Sequence, residues 1–194
     1  MRSSVFTVCS LLFMSVILSG CASIPGDTGA EQAETMEALV KRTLADLYKQ
    51  EPATKEQVEN SVGYVIASNK ITKVPVVGAG SGYGVGINRK TGEKTYLRMV
   101  RFDIGGGWGA RSVRPVMIFQ DEAKFKDFID GEWEAQVGAE AAAKMGDAGA
   151  AGGSGTGDMA DEKGYTLHFI TDAGVSATAT AAIIRVAPIK LKDD

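Results

Sequence analysis

Residues 76–87, with the sequence VVGAGSGYGVGI, carry a glycine at every second position. Side chains of a β-strand alternate between its two faces, so this spacing puts all the glycines on one face. A strand face without side chains lets another backbone approach closely, or lets the sheet curve tightly. We therefore predict a strand in a sheet that bends sharply or closes on itself. The glycines are Gly78, Gly80, Gly82, Gly84 and Gly86.

A phosphate-binding loop is the other common use of closely spaced glycines. Such a loop needs a spacing that turns the chain and opens a helix, whose free N–H groups then face the anion. Counted from Gly78, the third glycine of the G-x-G-x-x-G pattern would fall on Tyr83. Gly105, Gly107 and Ala110 satisfy the pattern, but residues 111–115 end in a proline and cannot continue as the required helix. We expect no nucleotide cofactor and no other cofactor.

The first half of the chain divides into helical and strand patterns. Apolar residues at steps of three and four predict an amphipathic helix over about residues 31–50. Pro52 opens a second short helix that ends near residue 61. Residues 62–67 are predicted to be a buried strand that ends at the polar group 68–70. The glycine-rich strand, a turn at residues 88–94 and a partner strand at residues 95–103 form a hairpin.

The second half supplies the remaining strands and one helix. An apolar run at residues 113–119 precedes a short helix capped by Asp121, and alternation predicts a strand at residues 133–139. Residues of about 146–161 are rich in glycine, alanine and serine and are predicted to be a mobile loop. A turn at residues 172–174 joins strands 165–170 and 175–186 as a closing hairpin. The predicted fold class is α+β, a single domain over residues 31–194 with a strongly curved, mainly antiparallel sheet.

The amino terminus predicts the cellular compartment. A basic start, an apolar run at residues 5–18 and the sequence LSGC at residues 18–21 indicate a signal peptide, since the run is too short to span a bilayer. The small residues before Cys21 resemble the bacterial lipoprotein cleavage box, which predicts acylation of Cys21, a signal peptide over residues 1–20 and a tether over residues 21–30. An ordinary secretory signal with a stray cysteine is the alternative. Ala22 after the cysteine favours the outer membrane, facing the periplasm.

Charge is unevenly distributed along the chain. The formal net charge is -3, which suggests no nucleic-acid partner. Residues 61–114 contain nine bases and two acids, whereas residues 115–168 contain eleven acids and four lysines. This segregation predicts a convergent basic face, although two oppositely charged sides of one sheet would give the same pattern.

Catalytic and metal-binding patterns are weak. His168 is the only histidine, lies in a predicted strand and has no cysteine partner for a metal. Glu132 and Glu134 share one face of their predicted strand and are more simply a solvent face than an acid–base pair. A Ser-His-Asp triad assembled from distant residues stays open, because triads are defined by geometry. We expect neither an enzyme nor a metal site.

The order of the small-residue motifs resembles the SYLF domain family over about residues 31–188. The resemblance rests on residues 63–66 (GYVI), 71–73 (ITK), the glycine-rich strand, 109–113 (GARSV), 116–119 (VMIF) and 174–175 (GV). It implies a domain that binds membrane phospholipids, and bacterial members of the family are often lipoproteins with this one domain, a layout similar to that of this chain. Arg111 and Arg114 stand where the family commonly has a glutamine and an acid, a departure that makes this region more basic.

Three kinds of function follow from these patterns. The first is an envelope lipoprotein whose basic face binds anionic lipid headgroups. The second is a structural or protein-interaction module, with the sheet or the first helix as the docking surface, and the third is an enzyme. The candidate lipid-contacting residues are Lys70, Lys73, Arg89, Lys90, Lys94 and Arg98; Lys73 also lies at a family position.

Overall fold

A computed structural model describes residues 23–132, 135–142, 151–153 and 164–193. These residues form helices α1 (Gly29–Gln50), α2 (Thr54–Glu59) and α3 (Glu122–Ile129). They also form strands β1 (Gly63–Lys73), β2 (Val77–Asn88), β3 (Lys94–Phe119), β4 (Ala135–Ala142), β5 (Ala151–Gly153) and β6 (Tyr165–Pro188). The predicted α+β class is confirmed.

The strands form one antiparallel sheet in the order β1-β2-β3-β6-β4-β5. Strand β3 is long enough to use two partners in turn, since residues 94–104 pair with β2 and residues 109–119 pair with β1. Strands β1 and β2 also pair with each other, so β1, β2 and β3 close a circuit of hydrogen bonds. This circuit has an inner face and an outer face. We call the end near Gly63 and Phe119 the helical end, and the end near Lys73 and Gly109 the distal end.

The glycines of β2 all lie on the inner face, where their lack of side chains is required. A Cβ atom on Gly82 would lie 2.0 Å from the carbonyl oxygen of Ser68, and one on Gly84 would lie 2.6 Å from that of Ile66. Both obstacles are backbone atoms of β1, which cannot move away as a side chain could. The period-two pattern therefore reflects a close approach of two backbones, as the sequence predicted.

An apolar core fills the inner face at the helical end. Phe119 lies at the centre of an aromatic group, with ring centroids 5.5 Å from Phe125 and Phe128 and 5.8 Å from Tyr165. Phe125 and Phe128 come from α3, which begins at the N-cap Asp121, whose side chain accepts a hydrogen bond from the Lys124 N–H. The sequence predicted both this helix and its cap. Helix α3 thus closes the helical end of the circuit.

A second apolar core lies between the outer face and α1. The apolar stripe of α1 supplies Met36, Leu39 and Leu47, which are 1%, 7% and 1% exposed. They pack in one cluster with outer-face residues such as Ile66 and Val116. Because this stripe is buried, α1 covers the core of its own domain.

Polar contacts also fasten α1 to the sheet. Arg114, 3% exposed, donates to Asp172 on β6 at 2.5 Å and 2.9 Å, and to Asp46 at 2.6 Å and Thr43 at 3.1 Å on α1. Burial lowers the pKa of Arg114, but its hydrogen bonds to the two aspartates outweigh that effect and raise the pKa overall. Near the helix end, Nδ1 of His168 lies 3.0 Å from Glu51 Oε2.

Several predicted boundaries were wrong, and they share one cause. Strand β1 continues to Lys73 through the polar group 68–70, and β3 continues through its glycine group. Strand β6 is continuous through residues 172–174, with a register shift at that point instead of a turn. Polar and glycine residues are typical of strand ends, so the sequence predicted ends at these positions. In the structure, hydrogen bonds to distant strands keep the backbone extended through them.

The remaining differences concern the segments between strands and before α1. Helix α1 begins at Gly29, and Ile24 is 3% exposed, so the predicted tether is partly packed onto the domain. Residues 151–153, predicted to be mobile, form β5 and pair with β4. The rest of that predicted loop, and the signal peptide with Cys21, lie outside the described residues.

We expect Gly82→Ala to lower the free energy of unfolding by about 3 kcal/mol, because the added methyl group meets a backbone oxygen. Gly106→Ala is the matched control, since nothing lies within 4 Å of its added Cβ. Urea denaturation of the two variants measures the difference. Equal stabilities would contradict the close approach of β1 and β2.

We expect Arg114→Met to lower the free energy of unfolding by about 2 kcal/mol and to speed amide hydrogen exchange in α1. This loss is smaller than for a fully buried pair because Asp46 and Asp172 keep 40% and 30% side-chain exposure. Arg42→Gln is the control, since Arg42 lies 3.9 Å from the same Asp172 but is 62% exposed. An equal effect of the two substitutions would argue against Arg114 as the main fastening of α1.

Candidate functional site

A patch of exposed apolar side chains lies at the distal end of the sheet. We call it the apolar tip: Val74, Val76, Val77, Phe102, Ile104, Trp108 and Ile183, which are 40% to 66% exposed. Strand register makes most of these residues neighbours, since Val77 pairs with Ile104 and Phe102 pairs with Ile183. Single apolar residues scattered over a surface are ordinary. A contiguous exposed patch with a tryptophan, in contrast, is typical of a surface that binds a protein or a membrane.

The backbone of the tip is built from a turn and a glycine-rich bend. In the turn, the Val74 N–H donates to the Val77 carbonyl at 3.0 Å. The N–H groups of Gly105 and Gly107 donate to the carbonyls of Val76 and Pro75 at 2.9 Å and 3.2 Å. These contacts give backbone N–H and carbonyl groups of the turn hydrogen-bond partners, and the valine side chains of the turn project outward.

The bend uses backbone conformations that L-residues rarely adopt. Gly105, Gly107 and Gly109 have φ angles of 139°, 141° and 136°. This alternation of ordinary and positive φ angles occurs where β3 changes partner from β2 to β1. The glycines are therefore needed for the conformation that closes the circuit, and they also place Trp108 at the tip.

Beneath the apolar tip, the inner face is polar. Arg101 and Asp103, 1% and 2% exposed, form a buried ion pair with distances of 2.7 Å and 3.0 Å to Asp103 Oδ1. The Arg101 guanidinium carbon also lies 5.4 Å from the centroid of the Phe169 ring. The usual arrangement is thus reversed at the distal end, with charge inside and apolar surface outside.

Two further polar side chains of the inner face have no hydrogen-bond partner among the described residues. These are Lys73, which is 5% exposed and whose Nζ atom is unpartnered there, and Asn69, for which this holds at both polar atoms of the side chain. Gly78 gives Lys73 its room, since a Cβ there would lie 3.3 Å from Lys73 Cγ and 3.2 Å from Asp103 Cβ. Unpartnered buried polar groups destabilise the folded state, so Lys73 and Asn69 lower the stability of the distal end.

The structure separates the six candidate lipid-contacting cations. Lys70 and Arg98 are exposed on the outer face, and neither forms an ion pair within the described part of the chain. Lys73 is buried, so a headgroup could reach its Nζ atom only if the strands moved. The other three cations lie around the turn between β2 and β3, about 25 Å along the sheet from Lys70. These are Arg89, Lys90 and Lys94.

The expectation of one convergent basic face is therefore corrected by the strand register. Lys90 pairs with Glu122 of α3 at 2.6 Å, and Lys94 pairs with Glu37 of α1 at 2.7 Å. Both acids belong to helices, so these ion pairs are not the two oppositely charged sides of one sheet that were the alternative explanation of the charge pattern. The apolar tip was not predicted from the sequence, although the run VPVV at residues 74–77 and the lone Trp108 among glycines were its signals.

Helices of the described residues offer no route across a bilayer, because none is both long and apolar enough. The fold and the site together define an α+β protein whose strongly curved antiparallel sheet carries an exposed apolar tip over a polar interior.

Among curated proteins, the chain is similar to Beta cell expansion factor A from Aeromonas veronii. The two are 28% identical over 108 residues, which cover 56% of this chain and 41% of that protein. The chain thus matches less than half of the length of this relative. No family model matches the chain.

We expect Lys73→Met to raise the free energy of unfolding by about 1 kcal/mol. Methionine keeps most of the volume and removes a buried ammonium group that has no hydrogen-bond partner in the described part of the chain. Lys70→Met, on the exposed face of the same strand, should change stability by less than about 0.5 kcal/mol. Urea denaturation distinguishes the two, and a destabilised Lys73→Met protein would mean that the ammonium group has a stabilising partner in solution.

Proposed function

We propose that this chain is a non-catalytic, membrane-anchored lipoprotein of the cell envelope, with a SYLF-like domain that binds anionic lipid surfaces through its apolar tip. The observation that carries the proposal is the tip itself, a contiguous apolar patch at one end of the sheet. The motif resemblance to SYLF domains supports the same function. The similarity to Beta cell expansion factor A is consistent with a bacterial origin.

The size of the tip suits a shallow and reversible insertion. Full burial of a large apolar side chain contributes about 1.5 to 3 kcal/mol, so the half-exposed tip residues would each contribute on the order of 1 kcal/mol in a bilayer. The aromatic ring of Trp108 suits the headgroup boundary, where one side of the ring is apolar and the other is wet. Such a surface would hold the domain at a membrane without spanning it.

Charge behind the tip favours anionic lipids as the surface that is bound. Lys70 lies four residues from Val74, and Arg98 lies four residues from Phe102, which places both about 14 Å behind the tip along their strands. A tip that enters the bilayer by 5 to 10 Å would bring both cations near the phosphate layer. Each cation near an anionic surface contributes about 1 kcal/mol.

The proposed acyl anchor would act together with the tip. Acylation of Cys21 keeps the domain at the membrane and raises the local concentration of the tip, so that weak insertion becomes effective. The proposed location is the outer membrane, facing the periplasm. A protein partner that covers the apolar tip is the alternative, with the chain then acting as an interaction module of the envelope.

We expect Ile104→Asp to weaken vesicle binding at least tenfold, because a carboxylate at the centre of the tip opposes insertion. The protein carries Cys21→Ala, so that no acyl chain contributes, and binding is measured by flotation with neutral and anionic vesicles. Thr91→Asp adds the same charge at an exposed turn at the helical end and should bind like the parent protein.

Comparison of lipid compositions and salt completes this test. The parent protein should prefer anionic vesicles, and added salt should weaken its binding. Unchanged binding by the Ile104→Asp protein would exclude the tip as the contact surface. A parent protein that binds no vesicle would leave a protein partner as the occupant of the tip.

A further inference from the structure

An apolar cleft lies between α1 and the outer face of β2 and β3, far from the apolar tip. Its volume is about 150 Å³. Met36 and Val85, each 1% exposed, form the floor, and the half-buried Val40, Ile87 and Tyr96 form the walls. Ile87 is ten residues from Val77 on β2, so the cleft and the tip are about 34 Å apart along the strand.

Charged side chains form the rim of this cleft. Lys41 and Glu37 come from α1 and Lys94 comes from β3. Lys94 Nζ lies 2.7 Å from Glu37 Oε1, and this hydrogen bond lowers the pKa of Glu37 and raises that of Lys94. Lys41 forms no ion pair in the described part of the chain. The rim therefore carries two positive charges and one negative charge.

We propose that the cleft binds a medium-chain fatty acid, with the alkyl chain on the apolar floor and the carboxylate at Lys41 and Lys94. An apolar protein cavity of about the same volume accepts benzene, so the cleft has room for about six carbon atoms. The excess positive charge of the rim complements a single carboxylate. The cleft is too small for the two chains of a phospholipid, which separates this ligand from the lipid surface proposed for the tip.

The role of Glu37 makes the proposal specific. In the unliganded protein the Glu37 carboxylate accepts a hydrogen bond from the Lys94 ammonium group. A ligand carboxylate must therefore share this cation with Glu37 or displace Glu37 from it. Glu37→Gln removes the competing charge while keeping the shape of the side chain. A fatty acid should then bind more tightly, whereas an uncharged ligand of the same length should not.

The test is a calorimetric titration of the purified protein with octanoate and with 1-octanol. Glu37→Gln should strengthen octanoate binding about twofold to fivefold, as expected for an exposed ion pair, and leave octanol binding unchanged. Lys41→Gln should weaken octanoate binding by a similar factor. If Glu37→Gln shifts both ligands equally, or if octanoate does not bind, the proposal is overturned.

Chain length and a cleft-filling variant test the apolar part. From butanoate to hexanoate, each added methylene should strengthen binding about fourfold, and the gain should diminish beyond about six carbons. Val40→Phe fills the cleft and should abolish binding of octanoate and octanol, whereas full binding by this variant would place the ligand elsewhere. Ile104→Asp should leave octanoate binding unchanged, so failure of the tip proposal and failure of this one are distinguishable.

Discussion

The contact between the bare inner face of β2 and the backbone of β1 is the constraint on which the rest of the structure depends. Gly82 passes so close to Ser68 that no side chain fits between them. This approach lets β1, β2 and β3 close their circuit with a narrow interior, and the side chains of β1 and β3 then meet above the glycines. Both the apolar core under α3 and the polar group around Arg101 follow from that geometry.

The two ends of the circuit differ in how well they are packed. At the helical end, aromatic rings from β3, β6 and α3 fill the interior, and α1 covers the outside. At the distal end the interior holds Lys73 and Asn69, which have no hydrogen-bond partners within the described ranges, and the outside is apolar. If the distal end opened locally, these buried polar groups would gain water as partners. The same end carries the surface that we assign to the membrane.

The sequence was sufficient for the local patterns and insufficient for the long-range ones. The strict alternation of glycine predicted β2 and its close neighbour, and the stripe of α1 and the cap at Asp121 predicted their helices. Strand β3 was predicted as two strands, because a glycine group in a sequence is typical of a turn. Only the long-range pairing shows that the strand continues through these glycines. Lys73 looked like a solvent-exposed cation, because only the register reveals that Gly78 opens a buried space beside it. The predicted basic face failed for the same reason, since register decides which end of a hairpin each residue occupies.

The alternation of glycine with larger residues also protects the fold against errors in its own assembly. A one-residue slip of β2 would turn its other face inward and bring Tyr83 to the place where Gly82 passes a carbonyl oxygen. Ser81 and Val85 would likewise be brought against backbone oxygens of β1, at the places of Gly80 and Gly84. A misaligned hairpin would thus clash at several neighbouring positions. The alternation of glycine therefore favours the native register of β2 as the three strands come together.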